Sequence, residues 1–166
     1  MLVIADAKRG DIGSTSAAYS AAWIGRCGGQ PVFDADFVTV NPYLGTDGIA
    51  PFLEDCRRYD KGIFILVKTS NPSSSELQDL RLADGRAVYE AVADRVAVWG
   101  EGLTGSHGYS AAGAEFVEPD AAVIARMGYI PVEAPLLSDD DWARHAPDKL
   151  ADAILRIVEE ERKIGL

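Results

Sequence analysis

Short apolar runs recur along this chain with helix-like stretches between them, and that alternation restricts the fold more than any other feature. The run at residues 63–67, "IFILV", has no polar residue and is too short for a helix, which predicts a strand buried on both faces. Leu2 to Ala5 and Phe37 to Val40 predict two more strands of the same kind. Between the first two lies "STSAAYSAAWIGRCGG", where Ser14 can cap a helix, alanines carry it and Gly28-Gly29 end it. The stretch "LGTDGIAPFLEDCRRYDKG" predicts a loop and a second helix, capped near Thr46 or Asp47 and closed around Lys61-Gly62. From Arg86 to Trp99 the spacing of Val88, Val92, Val96 and Trp99 predicts a helix with one apolar face. Strand and helix alternating across short links predict a parallel α/β sheet. Four or five strands can be counted, whereas a closed eight-stranded barrel takes about 250 residues. A chain of 166 residues is therefore expected to form a small open sheet or part of a barrel.

Residues 101–114 form a Gly/Ser-rich loop, after which "AEFVE" (114–118) and "YIPVEAPL" (129–136) predict short strands. "DAAVIARM" (120–127) and "PDKLADAILRIVEEERK" (147–163) predict helices. A net charge of −10 argues against a nucleic-acid polymer or an anionic membrane as partner, since both select clustered Lys and Arg. It leaves room for a small anionic substrate, because charge within a pocket can oppose the global sign. Cys27 and Cys56 have no metal-ligand spacing and fall in helix-like segments, so buried, reduced thiols are expected. The first apolar run ends at Asp6 and resembles neither a signal peptide nor a membrane span, and the expected compartment is the cytoplasm. His107, His145 and the run Asp139 to Asp141 lack metal or triad spacing and are read as surface groups. Trp23, Trp99 and Trp142 are read as core or interface.

The chemistry concentrates in "VIADAKRGDIGST", residues 3–15. Asp6 and Lys8 are two apart in what reads as extended chain, so their side chains are expected on one side. Asp11 follows Gly10, which can allow a sharp turn. Three charges at the carboxyl end of a parallel strand would share a small, partly desolvated space, and reactive groups of such sheets gather there. Carboxylates beside an ammonium keep it protonated and hold its position, which makes it a competent proton donor to a developing carbanion. The same three residues are also compatible with a structural ion-pair network.

This segment resembles the signature of the orotidine 5′-phosphate decarboxylase family, D-x-K-x-x-D-I-[GP]-x-T after two apolar residues and a variable one. Val3, Ile4, Asp6, Lys8, Asp11, Ile12, Gly13 and Thr15 match, while Ser16 stands where the family prefers an aliphatic residue or threonine. "DADFVTVNPYLGTDGIAPFLE" and "ILVKTSNPSSSELQDLRLADGRAVYEAVA" resemble the longer-chain bacterial subgroup, and the resemblance runs to about residue 112. It implies a TIM-type (β/α)₈ barrel and conversion of orotidine 5′-phosphate to UMP and CO₂ in pyrimidine biosynthesis, with no metal and no organic cofactor. It further implies that Lys8 protonates C6 of the pyrimidine and that Asp6 lies beside the substrate carboxylate. Asp11 would reach the neighbouring subunit's site in a homodimer, Thr15 would lie near the ribose on that shared edge, and Ser70 would hydrogen-bond the ring.

Set against the family pattern, Met1 falls just before the third barrel strand, and neither the sixth strand nor the phosphate-binding loop and arginine can be found beyond residue 112. The expectation is an incomplete barrel over residues 1–112 and a divergent α/β tail over 113–166, with little or no activity from the isolated chain. Remote binding energy on a phosphate is what such enzymes use to drive chemistry elsewhere. Unpaired edge strands would favour self-association. Two other readings remain beside the decarboxylase: an inactive fragment or fusion product, and a magnesium-dependent sugar-phosphate decarboxylase or aldolase of the same superfamily, which shares the D-x-K-x-x-D element.

Overall fold

The structure, a computed structural model, describes residues 2–116, all of them within the first of two units of the chain, Met1–Tyr129. In chain order the elements are β1 (Ile4–Arg9), α1 (Gly13–Trp23), β2 (Phe37–Val40), α2 (Thr46–Tyr59), β3 (Gly62–Lys68), a 3₁₀ turn (Pro72–Glu76), α3 (Val88–Trp99) and β4 (Ala112–Phe116). The strands lie in the order β1-β2-β3-β4 and every neighbouring pair is parallel. These are consecutive β/α units, as the alternation of runs predicts. The predicted segments at 120–127, 129–136 and 147–163, with Trp142, His145 and the Asp139 to Asp141 run, lie outside the described residues.

One face of the sheet is the core. Val38, Val40, Ile63, Ile65 and Val67 are buried there with Ile49, Phe52, Leu53 and Cys56 of α2 and Ala93 and Val96 of α3. Burying one such aliphatic side chain is worth about 1.5–3 kcal/mol, so this layer supplies the main drive to fold. The other face carries Phe37, Phe64 and Leu66, which are only half-buried. The expectation that "IFILV" is buried on both faces is thus met on one face only, among the described residues. Phe37 and Phe64 pack with ring centroids 5.2 Å apart. Two glycines make room for them: a Cβ on Gly62 would come within 2.3 Å of the Phe37 ring, and one on Gly113 within 2.8 Å of the Phe64 ring.

Several boundaries differ from the sequence reading. β1 does not end at Ala5 but runs through Asp6 and Lys8 to Arg9, leaving Leu2 and Val3 exposed before it. Only Ala5 of β1 is fully buried, because β1 pairs with β2 alone among the described residues. α1 stops at Trp23, where the N–H groups of Ile24 and Gly25 both donate to the Ser20 carbonyl. Gly28 and Gly29, both at positive φ, form instead the tip of a later turn in which Cys27 and Gln30 exchange backbone hydrogen bonds. Cys27 is therefore outside any helix. Cys56 is buried in α2, and burial pushes its thiol pKa up to about 12, so it is an inert core residue.

Ser14 does not cap α1. Ser16 ties the chain there, its hydroxyl accepting from the Asp11 N–H (3.1 Å) and donating to the Asp11 carbonyl (2.9 Å). α2 is entered through Gly45 and closed by Asp60, both at positive φ, while Gly62 is already in β3. The strand expected at 114–118 is β4, two residues earlier, and it crosses the division expected at 112/113. It lies beside β3 as the next parallel strand, so the chain does continue the sheet beyond residue 112.

Candidate active site

The half-buried face of the sheet becomes polar toward the carboxyl ends of the strands. Asp6 and Lys8 come from β1, Thr39 from β2 and Glu115 from β4. β1 and β2 are not in simple register here: Ala5 pairs with Val38, but Arg9 pairs with Val40, so the chain bulges over the residues between. Within that bulge Lys8 takes φ 48°, a left-handed conformation that costs a non-glycine residue about 1–2 kcal/mol. Strain of this kind concentrates at functional sites, where surrounding contacts hold it in place.

Thr39 is what holds it. The Lys8 N–H donates to Thr39 Oγ1 (2.9 Å), and the Thr39 hydroxyl donates in turn to Asp6 Oδ1 (2.9 Å). The Lys8 ammonium donates to the same Asp6 oxygen and lies 3.5 Å from Glu115 Oε1. Asp6 and Lys8 therefore meet through a bulge and a threonine, not through the regular pleat that their spacing suggests. Burial acts to lower the Lys8 pKa, but hydrogen bonding to Asp6 and the charges of Glu115 and Asp6 outweigh it and raise it above the ordinary value. At Asp6 burial again opposes the charge, and the bonds from Lys8 and Thr39 bring the carboxyl below its usual range. For Glu115 burial dominates and raises its pKa despite Lys8.

Asp11 is not in this cluster. Its carboxylate accepts the N–H of Ile12 (2.7 Å) and forms no ion pair among the described residues. Gly10 serves close approach and not a sharp turn: a Cβ there would come within 2.7 Å of the Asn41 carbonyl, beside the bond from the Asn41 N–H to the Arg9 carbonyl (2.7 Å). Thr15 lies half-buried in the first turn of α1. Ser70 is exposed just after β3, between Thr69 and Asn71, whose side chains bond each other (2.7 Å). Thr69 is further held by Gln78, through its N–H (2.9 Å) and its hydroxyl (2.7 Å). Thr39 and Glu115 lie outside the D-x-K-x-x-D motif and are not marked by it. A charge inside a short predicted strand was the available signal for Glu115, because buried charges in strands need a partner.

Parallel β/α units whose strand ends carry an ammonium between carboxylates form a piece of a TIM-type barrel with a charged cluster at its carboxyl-terminal rim. Over residues 1–127 the sequence matches the model of the orotidine 5′-phosphate decarboxylase / HUMPS family, and the chain belongs to that family. It is 47% identical over 131 residues to the orotidine 5′-phosphate decarboxylase of Caldicellulosiruptor bescii, covering 74% of this chain and 42% of that protein. It is 49% identical over 121 residues to the enzyme of Caldicellulosiruptor saccharolyticus, covering 69% of this chain and 38% of that one. Among solved structures, the OMP decarboxylase of Leishmania donovani superposes with a TM-score of 0.55 at 36% identity, over 76% of this chain and 44% of its own. The chain thus spans about two fifths of the length of these relatives.

Proposed function

We propose that this chain carries the proton-donating part of an orotidine 5′-phosphate decarboxylase site, acting in the cytoplasm. Loss of CO₂ breaks the bond from C6 of the pyrimidine to its carboxylate and leaves the electron pair on C6. The Lys8 ammonium delivers a proton to that carbon, giving UMP and a neutral lysine. Asp6 stands beside the departing carboxylate, Ser70 bonds the ring, and Thr15 and Asp11 serve the ribose and the shared edge of a homodimer. The single observation that supports this best is the Lys8 ammonium held between Asp6 and Glu115 on a strained bulge at the strand ends. Proton transfer from a positioned group typically contributes 10²–10⁴-fold to rate.

The test is the absorbance loss of orotidine 5′-phosphate with purified chain at high enzyme concentration, in EDTA, beside Lys8→Ala. Slow turnover that falls at least about 100-fold in Lys8→Ala is the expected result. Equal rates for the two proteins would overturn the proposal. Mg²⁺-dependent turnover of a sugar phosphate, with none of orotidine 5′-phosphate, would point to the metal-dependent chemistry of the superfamily.

A further inference from the structure

Glu115 is an unexpected partner for Lys8. β1 and β4 are the outer strands of the four, and on a flat sheet they would stand about 14 Å apart. Side chains rise roughly perpendicular from a sheet, so two such residues meet only if the sheet curls toward them. Pairing of β4 with β3 sets Glu115 opposite Leu66, two residues beyond Gly113 and the Phe64 ring that Gly113 leaves room for. The Glu115 side chain is 25% exposed. One of its oxygens, Oε2, is buried and has no hydrogen-bond partner among the described residues. A carboxylate kept only for stability would have both oxygens satisfied, because an orphaned buried acceptor is costly.

We infer that Glu115 is a positioning residue for Lys8: together with Asp6 it forms a two-carboxylate clamp that fixes where the ammonium sits and keeps it charged. Asp6 grips it from its own strand, and Glu115 from across the curled sheet. Among the described residues of one copy, no other acid forms an ion pair with Lys8. β2 presents the neutral Thr39, and the β3 cation Lys68 is taken up by Asp79 at 2.6 Å. Arg9, next along β1, lies over the Tyr19 ring. The inference rests on the reading of Lys8 as proton donor only for its catalytic meaning; the clamp itself can be measured without turnover.

The experiment is an NMR titration of isotopically labelled lysine side chains in the full chain, with the Lys8 resonance assigned by its loss in Lys8→Ala. In Glu115→Gln, which keeps size and shape, Lys8 should titrate roughly one unit lower, the low end for loss of an opposite charge at 4–6 Å. Glu115→Asp should recover part of that shift, and Asp6→Asn should produce a fall of its own. An unchanged Lys8 titration in Glu115→Gln while Asp6→Asn lowers it would overturn the inference, and so would no change in either variant. A fall in Glu115→Gln with no Lys8-dependent turnover by the native chain would support the clamp and sink the decarboxylase reading. Lys8-dependent turnover whose pH profile and Lys8 titration both ignore Glu115→Gln would do the reverse.

Discussion

Lys8 is a long, flexible cation held in a conformation that suits glycine, and the network around it is what makes this tolerable. Its left-handed backbone predicts an ordering that inverts ordinary helix and strand preferences. Lys8→Gly should be more stable than Lys8→Ala by about 1 kcal/mol, read from urea midpoints, because glycine alone relieves the positive φ. Alanine as stable as glycine would show that the bulge is not strained. The charges give a second expectation. Asp6 has its pKa lowered from 3.8 in the folded chain, so its contribution to stability is present above that pH and fades as pH falls below it. Lys8 has its pKa raised from 10.5, so its contribution is present below that pH and fades as pH rises beyond it. Urea titrations across pH should show both losses shrink together in Asp6→Asn; identical pH curves for the two proteins would refute the pairing. The D-x-K-x-x-D motif marked the lysine from the sequence. Its partners were less legible, because Asp11 turns to the Ile12 N–H while Thr39 and Glu115 arrive from other strands.

At the scale of elements, small residues set the spacing. α1 buries Ser16, Ser20 and Ala22, and Ser20 donates to Asp55 of α2 at 2.7 Å, so the two helices pack closely through polar and small groups. Alanine content predicts the helix but not its end, since the stop at Trp23 follows from the chain turning back through Cys27 and Gln30. Gly62 and Gly113 belong to the sheet for a steric reason invisible in a periodicity pattern: each leaves room for an aromatic ring. Gly62→Ala should therefore destabilise the chain by about 1–3 kcal/mol, the usual cost of overpacking, measured by thermal or urea unfolding. Gly85, at a positive φ in open space, makes a useful contrast, since its substitution strains the backbone without displacing a ring. A Gly62→Ala protein as stable as the parent would show that the Phe37 ring moves aside freely.

For the molecule as described, two surfaces call for cover. One is the half-buried aromatic face of Phe37 and Phe64; the other is a set of exposed apolar side chains at the strand ends, among them Ile12, Tyr43 and Leu44. No helix among the described residues is long and apolar enough to cross a membrane. Self-association is the outcome expected of such surfaces. Sedimentation velocity of the 166-residue chain should show a dimer or larger species, and a clean monomer at tens of micromolar would refute this. Because the chain spans about two fifths of these relatives' length, the same sample should be assayed for turnover as monomer and as any larger species.

The class of fold, the order of strands and helices through β3 and α3, and the lysine proposed as proton donor are all legible in the sequence. These are local properties: apolar runs have a period, caps and glycines punctuate them, and a signature lies within thirteen contiguous residues. How that lysine is held follows from packing between strands that are distant in sequence. Curvature of the sheet brings Glu115 to Lys8, and the β1 bulge turns the Lys8 backbone onto Thr39. Both depend on how strands pair and curl around ring volumes, which no stretch of sequence encodes alone.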